Sequence, residues 1–279
     1  MNVRGDFMDK FRRNERIGAI VKILSDNPNR IFTLGYFTDM FNAAKSTLSE
    51  DMVIVKKIME RFSFGVVETI PGAAGGAKFI PEVDDKQAKI FIKDICTKLM
   101  SPDRIIPGGF IYMTDIIYLP EYASKIGEIL STKFMDAGAD YVLTIETKGI
   151  PIALMAARAL NIPLVIVRRD SKVTEGSTVS INYVSGSSKR IQTMSLSRRA
   201  IMKGTKSIFI DDFMKAGGTA SGIIELMNEF ENEVVGIGVL IETKEPEKKL
   251  VQNCISLLTL DSVDEENGTI SINPSRLFI

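Results

Sequence analysis

At 279 residues, with 45% hydrophobic and 25% charged side chains, the chain is long enough for two cores and has an ordinary globular composition. Its 35 Lys and Arg balance its 35 Asp and Glu, so no global field draws it to nucleic acid or membrane, and any basic surface must be local. Histidine is absent, which excludes Ser-His-Asp chemistry, HExxH zinc sites and a histidine general base.

Met1 to Arg16 mixes both charge signs without an apolar core, so no signal peptide is expected. Ile17, Ile20, Val21 and Leu24 follow helical spacing, and Asn27-Pro28-Asn29 breaks that helix. Ile31-Phe32-Thr33 reads as extended, Leu34 to Phe41 as a second helix with Thr33 as its cap, and Asn42-Ala43-Ala44 as a turn. A third helix is expected from Ser46 or Thr47, opened by a capping box over Thr47-Leu48-Ser49-Glu50. Its apolar stripe is Leu48, Met52, Val55, Met59 and Phe62. Two strands, 66–70 and 77–80, flank the glycine-rich turn Pro71-Gly72-Ala73-Ala74-Gly75-Gly76. Three helices and a hairpin are the order of a winged helix. A seam at Pro81-Glu82-Val83-Asp84-Asp85 divides the chain into a DNA-binding domain, 1–82, and a second domain, 83–279.

The second domain alternates strand and helix: strand 140–146, helix 152–160 and strand 163–168. A polar hairpin follows over 178–184 and 191–196, then strand 207–212, helix 219–230 and strands 234–242 and 256–260. That alternation predicts an α/β fold, a mainly parallel sheet with helices on both faces. The most apolar stretch, Ile150 to Val167, is interrupted by Pro151, Arg158 and Pro163 and reads as a buried helix and strand, not a membrane span. Cys96 and Cys254 lie far apart without metal-ligand spacing and read as two buried, reduced thiols of a cytoplasmic protein.

The most informative stretch runs from Ser207 to Thr219. An apolar strand ends in Asp211 and Asp212. Phe213, Met214, Lys215 and Ala216 follow, then Gly217, Gly218 and Thr219 at the start of a helix. Two carboxylates at a strand's C-terminal end can accept hydrogen bonds from a pair of ribose hydroxyls. The glycines let the backbone approach closely, and the helix start offers amides to an anion. A Rossmann site has the reverse order, glycines before acid, and no Walker GK[ST] occurs. The competing reading is a plain polar loop with solvated acids.

This stretch resembles the phosphoribosyl pyrophosphate (PRPP) motif of type I phosphoribosyltransferases. The whole chain resembles the purine operon repressor family of Gram-positive bacteria, through Met8 to Arg13, Pro71 to Gly76, Pro107-Gly108-Gly109-Phe110, Lys148-Gly149-Ile150-Pro151 and Lys172 to Tyr183. The resemblance implies a homodimer with a winged helix ahead of a transferase-like domain. It implies repression of purine synthesis genes, PRPP as inducer and guanosine tetraphosphate as a competing ligand, with no catalytic residue and magnesium left open. It assigns Asp211 and Asp212 to the ribose hydroxyls, Phe213 to Thr219 to the 5′-phosphate, and Thr147, Lys148 and Gly149 to pyrophosphate. Lys172 and the hairpin Val184 to Arg198 fall in the region covering the ligand. Phe110 stands where the family is expected to carry Tyr, and the chain stops at Ile279, short of a longer tail in some relatives.

Lys215-Ala216 replaces the small residue and Thr that active purine transferases usually carry before the double glycine, which favours a sensor over an enzyme. The rival reading is an active purine transferase with an added dimerisation domain. A third is an interaction protein whose first domain binds another protein. Residues 1–80 hold 12 Lys/Arg against 9 Asp/Glu, so placement matters more than excess. Arg4, Lys10, Arg12, Arg13 and Arg16 cluster around the first helix; Lys45, Ser46, Thr47 and Ser49 open the third; Lys56, Lys57 and Arg61 lie further along it and Lys78 flanks the wing. Arg12, Arg13, Lys45, Ser46, Thr47, Ser49, Lys56, Lys57 and Lys78 are the candidate DNA contacts, although lysines on a helix are commonly only a solvated face.

Overall fold

The computed structural model describes residues 11–72, 75–170, 176–184 and 190–279. The chain divides into two compact units, Met1–Val83 and Asp84–Ile279.

The first unit runs α1 (Arg13–Asp26), β1 (Phe32–Thr33), α2 (Leu34–Phe41), α3 (Lys45–Arg61), β2 (Val66–Ile70) and β3 (Gly76–Ile80). The strands pair antiparallel in the order β1-β3-β2, completing a winged helix. Ile20, Leu24, Phe37, Leu48, Val55 and Met59 fill its core. Thr33 Oγ1 accepts from the Tyr36 amide at 3.1 Å, as its cap role requires.

Three expectations are corrected here. Helix α3 starts at Lys45, because extended Ala44 already accepts the Leu48 amide at 3.1 Å. Thr47 therefore lies inside the first turn and forms no capping box with Glu50. The apolar stripe ends at Met59: Phe62 caps the helix, turns outward, is 59% exposed and stacks on Phe64 with centroids 5.7 Å apart. Arg16 is not a surface cation; it is buried, with Nε 2.6 Å from Asp51 Oδ2 on α3.

The second unit continues with α4 (Asp85–Leu99), β4 (Ile105–Ile106), β5 (Phe110–Ile111), α5 (Thr114–Ile117), α6 (Pro120–Thr132), β6 (Tyr141–Ile145), α7 (Ile150–Leu160) and β7 (Leu164–Val167). Then come β8 (Thr178–Val184), β9 (Ile191–Ser197), β10 (Lys206–Met214), α8 (Gly218–Glu229), β11 (Glu233–Thr243), β12 (Cys254–Asp264) and β13 (Thr269–Pro274). Among the described residues the main sheet has the order β13-β12-β11-β10-β6-β7, parallel except for β13.

Alternation along each strand sorts its side chains onto two faces. Leu143, Phe209 and Val239 pack with Ile223 and Leu226 of α8. On the other face, an added Cβ at Gly238 would meet the Ile210 side chain at 2.9 Å and Phe134, just after α6, at 2.9 Å. So α6 and α8 cover opposite faces. The β8–β9 hairpin lies over α8, where a Cβ at Gly222 would stand 2.8 Å from Met194 Cε and 3.0 Å from Tyr183.

Strand β10 runs two residues past the acids, and α8 begins at Gly218, one residue before the expected Thr219. Both cysteines are free, but only Cys96 is buried; Cys254 is half-buried. Burial pushes their thiols up to about 11 and about 12. Among the described residues no helix is long and apolar enough to cross a membrane.

Candidate functional site

The sheet order reverses between β6 and β10. From β6 the chain moves outward to β7; from β10 it moves the other way through β11 and β12. β6 and β10 are parallel neighbours, with Phe209 opposite Leu143, so their C-terminal ends open a crevice at one edge. Open α/β sheets bind ligands at such switch points.

Asp211 lies there, 7% exposed. Its Oδ1 accepts the Asp212 amide at 2.9 Å. Burial, and then the neighbouring charge of Asp212, hold its carboxyl well above the usual carboxylate range. Gly149, which caps α7, presses directly on it. A Cβ at Gly149 would sit 2.5 Å from Asp211 Oδ1 and 2.7 Å from Thr144 Oγ1, so only glycine lets the 147–149 loop close on the acid. Thr144 Oγ1 is buried with no hydrogen-bond partner among the described residues.

Beyond the acids, Gly217 at φ +81° turns the chain into α8. The Ser221 amide takes the Gly217 carbonyl at 2.9 Å, leaving the amides of Gly218, Thr219 and Ala220 without helical acceptors. The first turn carries no acid. Lys215 to Ala220 line a cavity of about 70 Å³ with Asp211, at a helix start that suits an anion. From behind, the Leu250 amide donates to Ala216 O (2.9 Å), and the Thr243 hydroxyl, which is 2.6 Å from Glu245 O, also lies 3.2 Å from Lys215 O.

The structure thus gathers Asp211, Asp212, Phe213 to Thr219 and Gly149 at one crevice. Thr147 and Lys148 are exposed on the same loop as Gly149, after a cis Glu146–Thr147 peptide. Met214 lines the cavity but its side chain belongs to the core, so it can offer a ligand only main chain. Phe110 is 57% exposed on β5, its ring against Gly108. Lys172 and the hairpin tip, 185–189, lie outside the described residues.

Two residues escaped the sequence reading. The Tyr118 hydroxyl donates to Thr147 O at 3.4 Å. Arg169, beyond the end of β7, is the cation whose charge draws the Asp211 carboxyl back down, and its Nη1 reaches Gln192 Oε1 on β9 at 3.1 Å. The signal available was an Arg-Arg pair just past an apolar strand.

The second candidate surface is α3. Lys45 is its first residue, a cation where the helix dipole disfavours one, and no acid follows in the first turn. Lys45, Ser49, Val53 and Lys56 line a groove of about 580 Å³ facing Thr69 to Gly72 of the wing. Ser46 and Lys57 are exposed beside it, and Thr47 is half-buried. Arg13 leans on the acids of α3, 3.3 Å from Asp51 Oδ1 and 3.6 Å from Glu50 Oε2. Arg12 is exposed at the start of α1, with its main-chain amide on Glu15 Oε2 at 2.6 Å. Lys78 pairs with Glu68 at 3.0 Å, and Lys56 lies 3.9 Å from Glu60.

Residues 12–81 match the family model described as the bacterial purine repressor N-terminal domain, and residues 114–273 match the phosphoribosyl transferase domain. The chain is 47% identical over 263 residues to the purine biosynthesis transcriptional repressor PurR of Bacillus subtilis, covering 94% of this chain and 92% of that one. This chain belongs to the bacterial purine repressor family. Another family member, the purine biosynthesis transcriptional activator PurR of Lactococcus lactis, is 39% identical over 267 residues, 96% of this chain and 98% of that one. Outside the regulators, a xanthine phosphoribosyltransferase of Lactococcus lactis is 31% identical over 186 residues, 62% of this chain and 94% of the enzyme. The fold of the second unit also matches adenine phosphoribosyltransferase from Rhodothermus marinus, with TM-score 0.52 and 25% identity over 61% of this chain and 99% of that one.

Proposed function

We propose that the chain is a dimeric DNA-binding repressor of purine biosynthesis genes whose transferase-like unit senses PRPP without turning it over. The observation that carries the reading is the crevice between β6 and β10, where paired acids, an anion loop and a second loop at Gly149 meet in a chain that also carries a winged helix. The ligand's 5′-phosphate is assigned to the free amides of Gly218 to Ala220. Its ribose hydroxyls donate to Asp211 and Asp212, and its pyrophosphate lies along Thr147, Lys148 and Gly149 with Arg169 and Lys215 nearby. Lys172 is assigned to the same end, and Phe110 stacks at the open side. Guanosine tetraphosphate, with phosphates on a ribose, competes for the same groups. The winged helix meets operator phosphates and bases through Arg12, Arg13, Lys45, Ser46, Thr47, Ser49, Lys56, Lys57 and Lys78.

PRPP is the inducer in this scheme: bound at cationic loops, it favours the DNA-free form and so weakens operator binding. A gel-shift titration of the operator with and without PRPP tests this, and unchanged affinity at saturating PRPP rejects it. Asp212→Ala removes acceptors for the ribose hydroxyls, at about 1.5–3 kcal/mol for a hydrogen bond to a charged group. It is expected to abolish the PRPP response while operator binding persists.

The xanthine phosphoribosyltransferase likeness favours a second reading, an active transferase in which a purine nitrogen bonds to C1′ and pyrophosphate leaves. Incubation with PRPP, magnesium and each purine base separates the two: nucleotide formation defeats the sensor reading.

A further inference from the structure

Val53 is 54% exposed in the middle of α3, and the fold gives no reason for a valine there. The buried side of α3 is Leu48, Asp51, Met52, Val55 and Met59, and at 3.6 residues per turn Val53 points away from it. Its neighbours one turn away are Ser49, Glu50, Lys56 and Lys57, all exposed. Glu50 lies 3.6 Å from Arg13 and Glu60 3.9 Å from Lys56, so each exposed carboxylate near Val53 is balanced by a cation. A β-branched side chain also loses rotamer freedom in a helix. Val53 is thus an apolar group among a hydroxyl, two ammonium groups and two charge-balanced carboxylates, at the edge of the groove bounded by the wing. A helix face of that kind complements the major groove of duplex DNA. The apolar feature that groove displays is the C5-methyl of thymine.

We infer that Val53 contacts a thymine methyl and is a specificity-determining residue of the DNA face; the inference rests on the operator-binding reading above. Ser49 and the lysines fix the helix against base edges and phosphates, and Val53 selects thymine over cytosine at one step of each half-site.

The test uses the full chain and a duplex that it selects from a random-sequence pool. Each thymine is replaced in turn by deoxyuridine, which removes the methyl alone. Losing one buried methyl predicts about fourfold weaker binding at one thymine of each half-site. Val53→Ala, which removes the contact from both half-sites of the dimer, is expected to bind the unmodified duplex about fifteenfold more weakly and to be indifferent to deoxyuridine at that thymine, with a melting temperature no lower than the wild type's. Wild-type protein insensitive to every replacement overturns the inference, and so does a Val53→Ala protein that keeps the full penalty at the sensitive thymine. If the full chain enriches no duplex at all, the operator-binding reading itself fails.

Discussion

The cavity at the end of β10 is walled largely by main chain, whereas the exposed face of α3 offers only side chains. At the cavity, the anion donors are amides fixed by a helix start, by Gly217 and by the backing residue Leu250. Such donors cost little entropy to use, because they are ordered before the ligand arrives. On α3 the cations are long, solvated side chains, and one of them, Lys56, already leans on Glu60. The first arrangement suits one small molecule held by shape. The second suits a long polymer, where many weak phosphate contacts add up and salt competes with all of them.

The largest effect expected comes from separating the two units through the first one's core. Arg16→Ala takes from Asp51, which is 1% exposed, its buried partner at 2.6 Å and leaves it only the half-exposed Arg13 at 3.3 Å. Breaking a buried pair from one side costs about 3–5 kcal/mol. Operator binding is expected to vanish with the winged helix, while calorimetry still reports PRPP uptake by the second unit. Loss of both activities would mean that the pocket depends on the first unit, and the contrast drawn above would fail.

A smaller, pH-dependent effect sharpens the pocket side. Asp211 titrates above its ordinary value in the fold because it is buried beside Asp212. The folded state therefore prefers the protonated acid, and stability falls as pH rises from the unfolded pKa through the raised folded one. Asp211→Asn keeps the shape and an acceptor for the Asp212 amide but cannot ionise. Its melting temperature is expected to exceed that of the wild type at neutral and alkaline pH and to converge with it near pH 3, as followed by calorimetry. The same variant should bind PRPP poorly, since a carboxylate accepts the ribose hydroxyls better than an amide. An equal gain in stability at every pH would show that charge is not the cause.

Much of this was legible in the chain because local chemistry and tertiary role coincide. Thr33 caps α2 as its hydroxyl predicts, and β10 with its two acids and double glycine can be read without a structure. What escaped were features set by distant partners. Arg16 reads as one more surface cation until Asp51, 35 residues on, is seen to bury it. Thr47 and Glu50 spell a capping box, but the extended backbone at Ala44 starts the helix earlier. The amphipathic helices α4 and α6 went unread because within 85–139 the run Pro107 to Phe110 drew the attention, although Ile92, Ile95 and Leu99 carry helical spacing. Gly149 gives no local sign that its hydrogen faces Asp211, since the two are 62 residues apart and meet only across neighbouring strands.

The finest prediction separates cations on the DNA side by what already holds them. Lys45 has no acid within ion-pair distance among the described residues, and it sits at a helix start that disfavours positive charge. Lys78 is 3.0 Å from Glu68 across the wing strands. Each phosphate neutralised by a free cation contributes about 0.9 to the slope of log affinity against log salt. Lys45→Ala, which removes one such cation from each protomer of the dimer, should therefore lower that slope by about two. Lys78→Ala should lower it by less, since its charge is partly balanced before DNA arrives. Operator titrations at several salt concentrations measure both slopes. Equal changes would mean that Glu68 releases Lys78 on binding, which would make the wing a rearranging contact and α3 the preset one.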